Sequence, residues 1–276
     1  MSNDTIPTRL DRRAFTQAAA AFTLGLAGPA ASAAEQKSFA GLRSTPLSIG
    51  MLIYPRMDQI DFTGPFAVLA RLPDATVHVM AHSRQPIKDH KGLLLTPDTT
   101  FAEAPALDIL MVPGGPGQEA LMDDEPILSL IRKQMAADKL IFSVCTGALL
   151  CGAAGVLRGR RATTHWAAFD LLKYFGAAPV DQRVVVDGNL ISAAGVTAGI
   201  DGALTLASLV RSRQVAEQIQ LDIQYAPDPP FDAGSTTTAP RAVVQSVTDK
   251  YRQLTDARTQ TAKRVAVRLG VTVPSG

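Results

Sequence analysis

Three short, almost uninterrupted apolar runs, LSIGMLIY, DILMVPGG and KLIFSV, constrain this chain more than any other feature. Each is shorter than an ordinary helix and ends at a proline, a glycine pair or a polar turn, so each reads as a strand. A strand with one wet face would alternate; an unbroken apolar run is buried on both faces and belongs to a parallel sheet. Helical segments stand between the runs. One opens at Thr63-Gly64-Pro65 and continues over FAVLARL, with the proline in the tolerated first turn. Another covers EPILSLIRKQMAADK, with Ile127, Leu128, Leu130, Ile131 and Met135 on its apolar stripe. A third, TGALLCGAAGVL, follows KLIFSV. TVHVMAH alternates as a further strand, and KDHKGLLLTPDTTF is a turn between short strands. RVVVDGNLISAAG carries a hairpin signal at Asp187-Gly188-Asn189, and AGIDGALTLASLV is a helix rich in small residues. From Pro240 to Leu269 the chain is polar and helix-prone, with Thr238 as a candidate cap and Gly270 as the stop. Strands alternating with helices predict an α/β fold, a largely parallel sheet sandwiched by helices. Sites in such sheets lie at the carboxyl ends of the strands.

The first segment stands outside this pattern. It has Arg12-Arg13, an apolar run from Ala18 to Ala27, then Pro29 and Ala31-Ser32-Ala33, which is the layout of a secretory signal. The paired arginines before Ala14-Phe15 resemble the twin-arginine export pattern of bacteria. The run is too short to span a bilayer comfortably. A hydrophobic leader or an uncleaved anchor is the alternative. The expected organisation is a signal peptide over 1–33, a linker over 34–46, an α/β domain over 47–235 and a C-terminal helical extension over 236–276. The mature chain is expected in the periplasm, with no membrane association after cleavage. The formal charge is +2 and no basic stripe has interleaved aromatics, which argues against nucleic acid as a partner.

An exported protein normally pairs its cysteines. The two here, Cys145 and Cys151, are six residues apart in what reads as one helix, too far for a bridge within it. Both thiols are expected free, and an unpaired thiol needs a reason: catalysis or deep burial. Cys145 ends a strand and opens a helix, so it stands at a turn that exposes a nucleophile at the sheet edge. The first amides of that helix and its dipole favour thiolate over thiol. Asp61 follows the first strand on the same rim, and Gly114-Gly115 end the DILMVP strand, where close backbone approach presents N–H groups to a developing anion. A small buried hydrophobe is the other reading of Cys145. His165 in ATTHW is a candidate base or a hydrogen-bonded packing residue. Asp58 reads as solvated, Cys151 as core, and Arg158, Arg160 and Arg161 as a solvated basic turn. His78, His82 and His90 lack metal-ligand spacing, and no metal is expected.

VPGGPG, FSVCTGALLCGAAGVLRGRRATTHW and ISAAGVTAGIDGALTL resemble the ThiJ/PfpI superfamily, of the flavodoxin-like, glutamine-amidotransferase-like fold. QIDFTGP and YAPDPPFDAGS resemble a narrower group within it, the isonitrile hydratases. The resemblance implies Cys145 as nucleophile and Asp61 as the acid beside it, where much of the superfamily carries glutamate. Thr146 would follow the nucleophile where peptidase relatives carry histidine, which weakens a peptidase reading. The Gly114 and Gly115 amides would complete an anion pocket with Thr146. Gly202 departs from the pattern, a bulkier apolar residue being expected there. The function implied is hydration of a small isonitrile to an N-substituted formamide, without metal or organic cofactor. Asp61 is expected to share a proton with Cys145, its affinity raised by the thiolate. A glyoxalase or deglycase acting on reactive carbonyls is the rival enzyme, and a small-molecule or redox sensor the rival from another class. The superfamily implies a homodimer. The charged C-terminal helix reads as a packed or subunit-contact element rather than part of a ligand site.

Overall fold

A computed structural model of the chain describes Phe39 and residues 41–272. The expected signal segment and its cleavage site lie outside the described residues. The strands in chain order are β1 (Leu47–Leu52), β2 (Ala75–Ala81), β3 (Ile87–Lys88), β4 (Leu94–Leu95), β5 (Thr99–Thr100), β6 (Ile109–Val112), β7 (Leu140–Val144), β8 (Arg161–Ala162), β9 (Ala178–Pro179), β10 (Val184–Asp187) and β11 (Leu190–Ala193). The helices are α1 (Gln59–Leu69), α2 (Glu125–Ala136), α3 (Gly147–Ala153), α4 (Ala198–Val210), α5 (Arg213–Asp222) and α6 (Arg241–Leu269). Two 3-10 segments, Pro116–Asp123 and Trp166–Phe175, join them.

Seven strands form one sheet in the order β10-β11-β7-β6-β1-β2-β5. All neighbours pair in parallel except β10 with β11, which closes through the expected Gly188-Asn189 turn. β6 and β7 are buried at every residue, as strands covered on both faces must be. Helices α1, α4 and α5 pack against one another as one layer. The other layer holds α2, α3, both 3-10 segments and α6. Ala262 and Val265 of α6 belong to the core. Among the described residues no helix is long and apolar enough to cross a membrane.

Several boundaries differ from the sequence reading. α1 begins a full turn before Thr63-Gly64-Pro65, because Asp58 caps it by accepting from the Ile60 amide at 3.1 Å. Asp61 is therefore in the first turn of a helix, and Pro65 is inside it without an N–H for the Asp61 carbonyl four residues back. α3 is shorter than its apolar run suggests and excludes Cys145. α6 starts after Pro240 at its N-cap, not at a Thr238 cap, and ends as expected where Gly270 turns left-handed. Helix α5, capped by Ser212, had no expected counterpart. The basic turn is pinned rather than free: Arg160 Nη1 donates to the Asp187 carbonyl at 3.1 Å, and Arg161 Nη2 to that of Val186 at 2.9 Å.

Candidate active site

The carboxyl ends of β1, β6, β7 and β11 open on one side of the sheet, and the turns after them carry the reactive groups. After β7 the chain reverses into α3 through Cys145, whose φ of 55° is the left-handed region that a side chain rarely adopts. That strained turn is held from three sides. The Cys145 amide donates to the Ala193 carbonyl at 3.0 Å, and its carbonyl accepts from Thr164 Oγ1 at 2.7 Å. Gly147 lets the elbow approach β6, since a Cβ there would collide with the carbonyls of Val112 and Pro113. Such strain persists where the surroundings over-determine it, which is typical of functional turns.

Asp61 enters from the first turn of α1 and is fully buried. The Gly114 amide donates to its Oδ2 at 2.9 Å, its Oδ1 has no hydrogen-bond partner, and the Cys145 thiol interacts with the carboxyl. Burial first, then the negative charge of Asp58, push its pKa up to about 8; the Gly114 amide and the thiol oppose the rise. The direction matches expectation but the cause does not: desolvation dominates, not a neighbouring thiolate. The thiolate expectation is itself overturned. Cys145 is 5% exposed, and burial followed by the charge of Asp61 raises its pKa well above the ordinary value. The Thr146 amide and Arg258 pull the other way without prevailing. The resting pair is a thiol beside a carboxylic acid. Cys151 is core, free, and pushed up to about 12 by burial.

The glycine pair has a different task from an anion pocket. Both amides are already engaged, Gly114 with Asp61 and Gly115 with Thr146 Oγ1 at 3.1 Å. A Cβ on Gly114 would collide with Thr146 and Asp61, and Gly115 has φ 126°. The glycines thus bring Asp61 and Thr146 within reach of one backbone turn. Thr146 Oγ1 also receives Arg258 Nη2 at 3.3 Å. Two donors fill its acceptor sites, and its own hydroxyl hydrogen goes back to the Gly115 carbonyl at 3.4 Å.

Arg258 comes from α6, which sequence reasoning kept out of the site. It is 4% exposed, donates from Nη2 to the Gly115 carbonyl at 2.8 Å and from Nε to Gln118 Oε1 at 3.1 Å. Its signal was legible: Leu254, Arg258, Ala262, Val265 and Leu269 lie on one helical stripe, and a charge in phase with a buried stripe needs a partner. Tyr54, just past β1, was also missed; it is buried and donates to the Pro113 carbonyl at 2.8 Å. Tyr251 and Lys250 of α6 complete the wall of a cavity of about 290 Å³ that Cys145, Thr146, His165 and Gly115 also line. Among the expected site residues, Asp61 and Gly114 sit beneath this cavity, touching its lining groups rather than the space itself. His165 is half-buried, caps the Trp166–Phe175 segment by accepting from the Ala167 amide at 3.3 Å, and has its pKa lowered to about 4 by burial and by Arg258. It is neutral and serves in packing while facing the cavity. Asp58 is half-buried rather than solvated, occupied as a cap and 3.9 Å from His90. The Gly202 departure is a packing matter: a Cβ there would lie 2.7 Å from the Phe142 ring. Gly234 to Thr237, from the end of the YAPDPPFDAGS segment and just beyond it, line a second cleft of about 660 Å³ on the other side of His165. Among the described residues no group of three or more His, Cys, Asp or Glu is placed to hold a metal.

Comparison with known proteins agrees with this architecture. The chain is 49% identical over 225 residues to the isonitrile hydratase of Pseudomonas putida, covering 82% of this chain and 99% of that protein. A deglycase of Pyrococcus horikoshii is 34% identical over 118 residues, covering 42% of this chain and 71% of the relative. The crystal structure of a ThiJ/PfpI family protein from Pseudomonas syringae superposes with a TM-score of 0.77 at 38% identity, covering 81% of this chain and 95% of that one. Residues 47–209 match the DJ-1/PfpI family, and the chain, an isonitrile hydratase homologue, belongs to it.

Proposed function

We propose that this protein hydrates a small isonitrile to an N-substituted formamide, a lyase-type reaction, with Cys145 as nucleophile and Asp61 as acid and base. The observation that carries the reading is the buried Asp61–Cys145 pair, with Asp61 Oδ1 unpartnered and its proton retained up to a pH of about 8. The isonitrile carbon accepts a proton and a nucleophile at the same atom. Asp61 gives its proton to that carbon as the Cys145 sulfur bonds to it, and the thiol proton passes to the carboxylate, leaving a thioformimidate and a re-protonated acid. Asp61 then protonates the imine nitrogen, water adds to the carbon and returns a proton to the carboxylate, and the carbon–sulfur bond breaks. The thiol is restored and the formamide leaves. Thr146, tied to the Gly115 backbone, and the Gly114 clamp on Asp61 hold the geometry through both steps.

The test is formamide production from a panel of alkyl and aryl isonitriles, with Cys145→Ala and Asp61→Asn beside the wild type. Turnover by the wild type with loss of about a hundredfold or more in each variant supports the assignment. A wild type inert to the whole panel but active on methylglyoxal-modified amines would move the protein to the carbonyl reading that the deglycase relative suggests. As part of the same proposal, residues 1–33 direct export and the working form is a homodimer. Amino-terminal sequencing of the periplasmic product and light scattering test these two points.

A further inference from the structure

We propose that the substrate carries a negative charge, most simply a carboxylate, on the end of the molecule remote from the isonitrile; this rests on the hydration reading for the reaction but not for the charge preference. Three cations from three separate segments meet at the Cys145 cavity: Arg56 from the turn after β1, Lys91 from the loop between β3 and β4, and Lys250 from α6. With Arg258 they make four permanent cations against one carboxylate, Asp58. The whole chain carries only +2, so the surplus is concentrated here.

The three rim cations form no ion pair among the described residues. Eight arginines elsewhere in the described residues form ion pairs with carboxylates. Arg56, Lys91 and Lys250 are exposed, and the Lys250 ammonium lies over the Tyr251 ring, 5.6 Å from its centroid. Asp58 does not neutralise them, because it caps α1 and lies against His90. Arg56 is held at the rim by a backbone with φ 61°, its amide bonded to the Lys88 carbonyl and its carbonyl to the Gly117 amide, both at 2.9 Å. A concave site lined by one sign of charge concentrates ligands of the other sign. At about 290 Å³ the cavity suits a small molecule whose isonitrile reaches inward to Cys145 while its anionic end meets Arg56, Lys91 and Lys250. The substrate class is a short isocyano carboxylate.

Two measurements separate the charge preference from the reaction. In the first, native protein at low ionic strength is alkylated with iodoacetate and with iodoacetamide, and the rate ratio at Cys145 is compared with that of the chain unfolded in urea. The expected ratio is about tenfold above the unfolded reference, falls with added salt, and drops toward the reference in the triple variant Arg56→Gln, Lys91→Gln, Lys250→Gln. A native ratio at or below the reference, or one that the triple variant leaves unchanged, overturns the proposal. In the second, kcat/KM for isocyanoacetate is compared with that for its methyl ester, and the anion is expected to be preferred by about tenfold. An anionic alkylation preference with neither isonitrile consumed keeps the charge preference and rejects hydration. Turnover that favours the ester, with an alkylation ratio like the unfolded chain, rejects the charge preference and keeps hydration.

Discussion

Asp61 is a carboxyl with one oxygen tied to the Gly114 amide, the other unpartnered, and no water-facing surface. An acid so placed keeps its proton into the neutral range, which suits a proton donor and costs stability as pH rises from about 4 to about 8. Asp61→Asn preserves the acceptor for Gly114 and removes the titration. It is expected to lose about a hundredfold or more in kcat/KM and, at pH 8, to melt higher than wild type by on the order of 2–4 °C, measured by activity and thermal unfolding of the same preparations. Wild-type activity is expected to fall as pH rises through about 8, when Asp61 surrenders its proton. The elbow at Cys145, where the proposed nucleophile stands, was legible in the sequence because a strand, a cysteine and a small-residue helix follow one another there. The raised pKa of the thiol was not, since a helix dipole can be read from sequence while the closure of the site above the sulfur cannot. A helix of seven residues and one amide do not offset burial beside an acid.

At the scale of elements, α6 turns a rim of strand ends into an enclosed site. It spans 29 residues, and its charged composition reads as a packed or subunit-contact element rather than as part of a site. Its buried stripe carries one charge, Arg258, whose guanidinium ties the helix to both the glycine turn and Thr146. Removing the guanidinium leaves Gln118 Oε1 without its donor in a buried place and takes from the Gly115 carbonyl the shortest of its hydrogen bonds. Arg258→Gln is therefore expected to destabilise the fold by about 2–4 kcal/mol, read as a shift in the urea midpoint. Because Arg258 lowers the pKa of both Asp61 and Cys145, its loss should move the alkaline limb of the pH–rate profile upward while reducing activity at pH 7. Arg258→Lys restores the charge but not the fork, and should recover the limb position more than the stability. On the opposite layer, Gly202→Ala presses a methyl against the Phe142 ring and is expected to cost about 1–3 kcal/mol by calorimetry, with activity kept in the folded fraction. The parallel strands were legible because burial on both faces writes itself into composition. The helix start at Asp58 was not, because a Gly-Pro pair outweighed a weaker capping signal one turn earlier.

For the molecule as a whole, two buried groups set opposing slopes in stability against pH. Asp61 has a folded pKa of about 8 against an ordinary value near 3.8, so its contribution is complete at low pH and declines as pH rises from about 4 to about 8. His165 has a folded pKa of about 4 against about 6.5, so its contribution is present above pH 6.5 and is lost as pH falls toward 4. Asp89, which accepts three backbone N–H groups, and Asp123, beside Arg264 and Arg268, have lowered pKa values, so the stability they add is lost only in more acidic solution. Between pH 4 and 6.5 the slopes of Asp61 and His165 cancel, and above 6.5 only that of Asp61 remains. The melting temperature of the wild type is therefore expected to be nearly flat from about pH 4.5 to 6.5 and to fall between 6.5 and 8. Asp61→Asn should remove the fall and uncover a rise from pH 4.5 to 6.5. His165→Gln should instead give one continuous decline from about 4.5 to 8. If the wild type and both variants share one profile, neither group titrates as its burial requires, and the protonated acid on which the hydration chemistry depends would have to be abandoned.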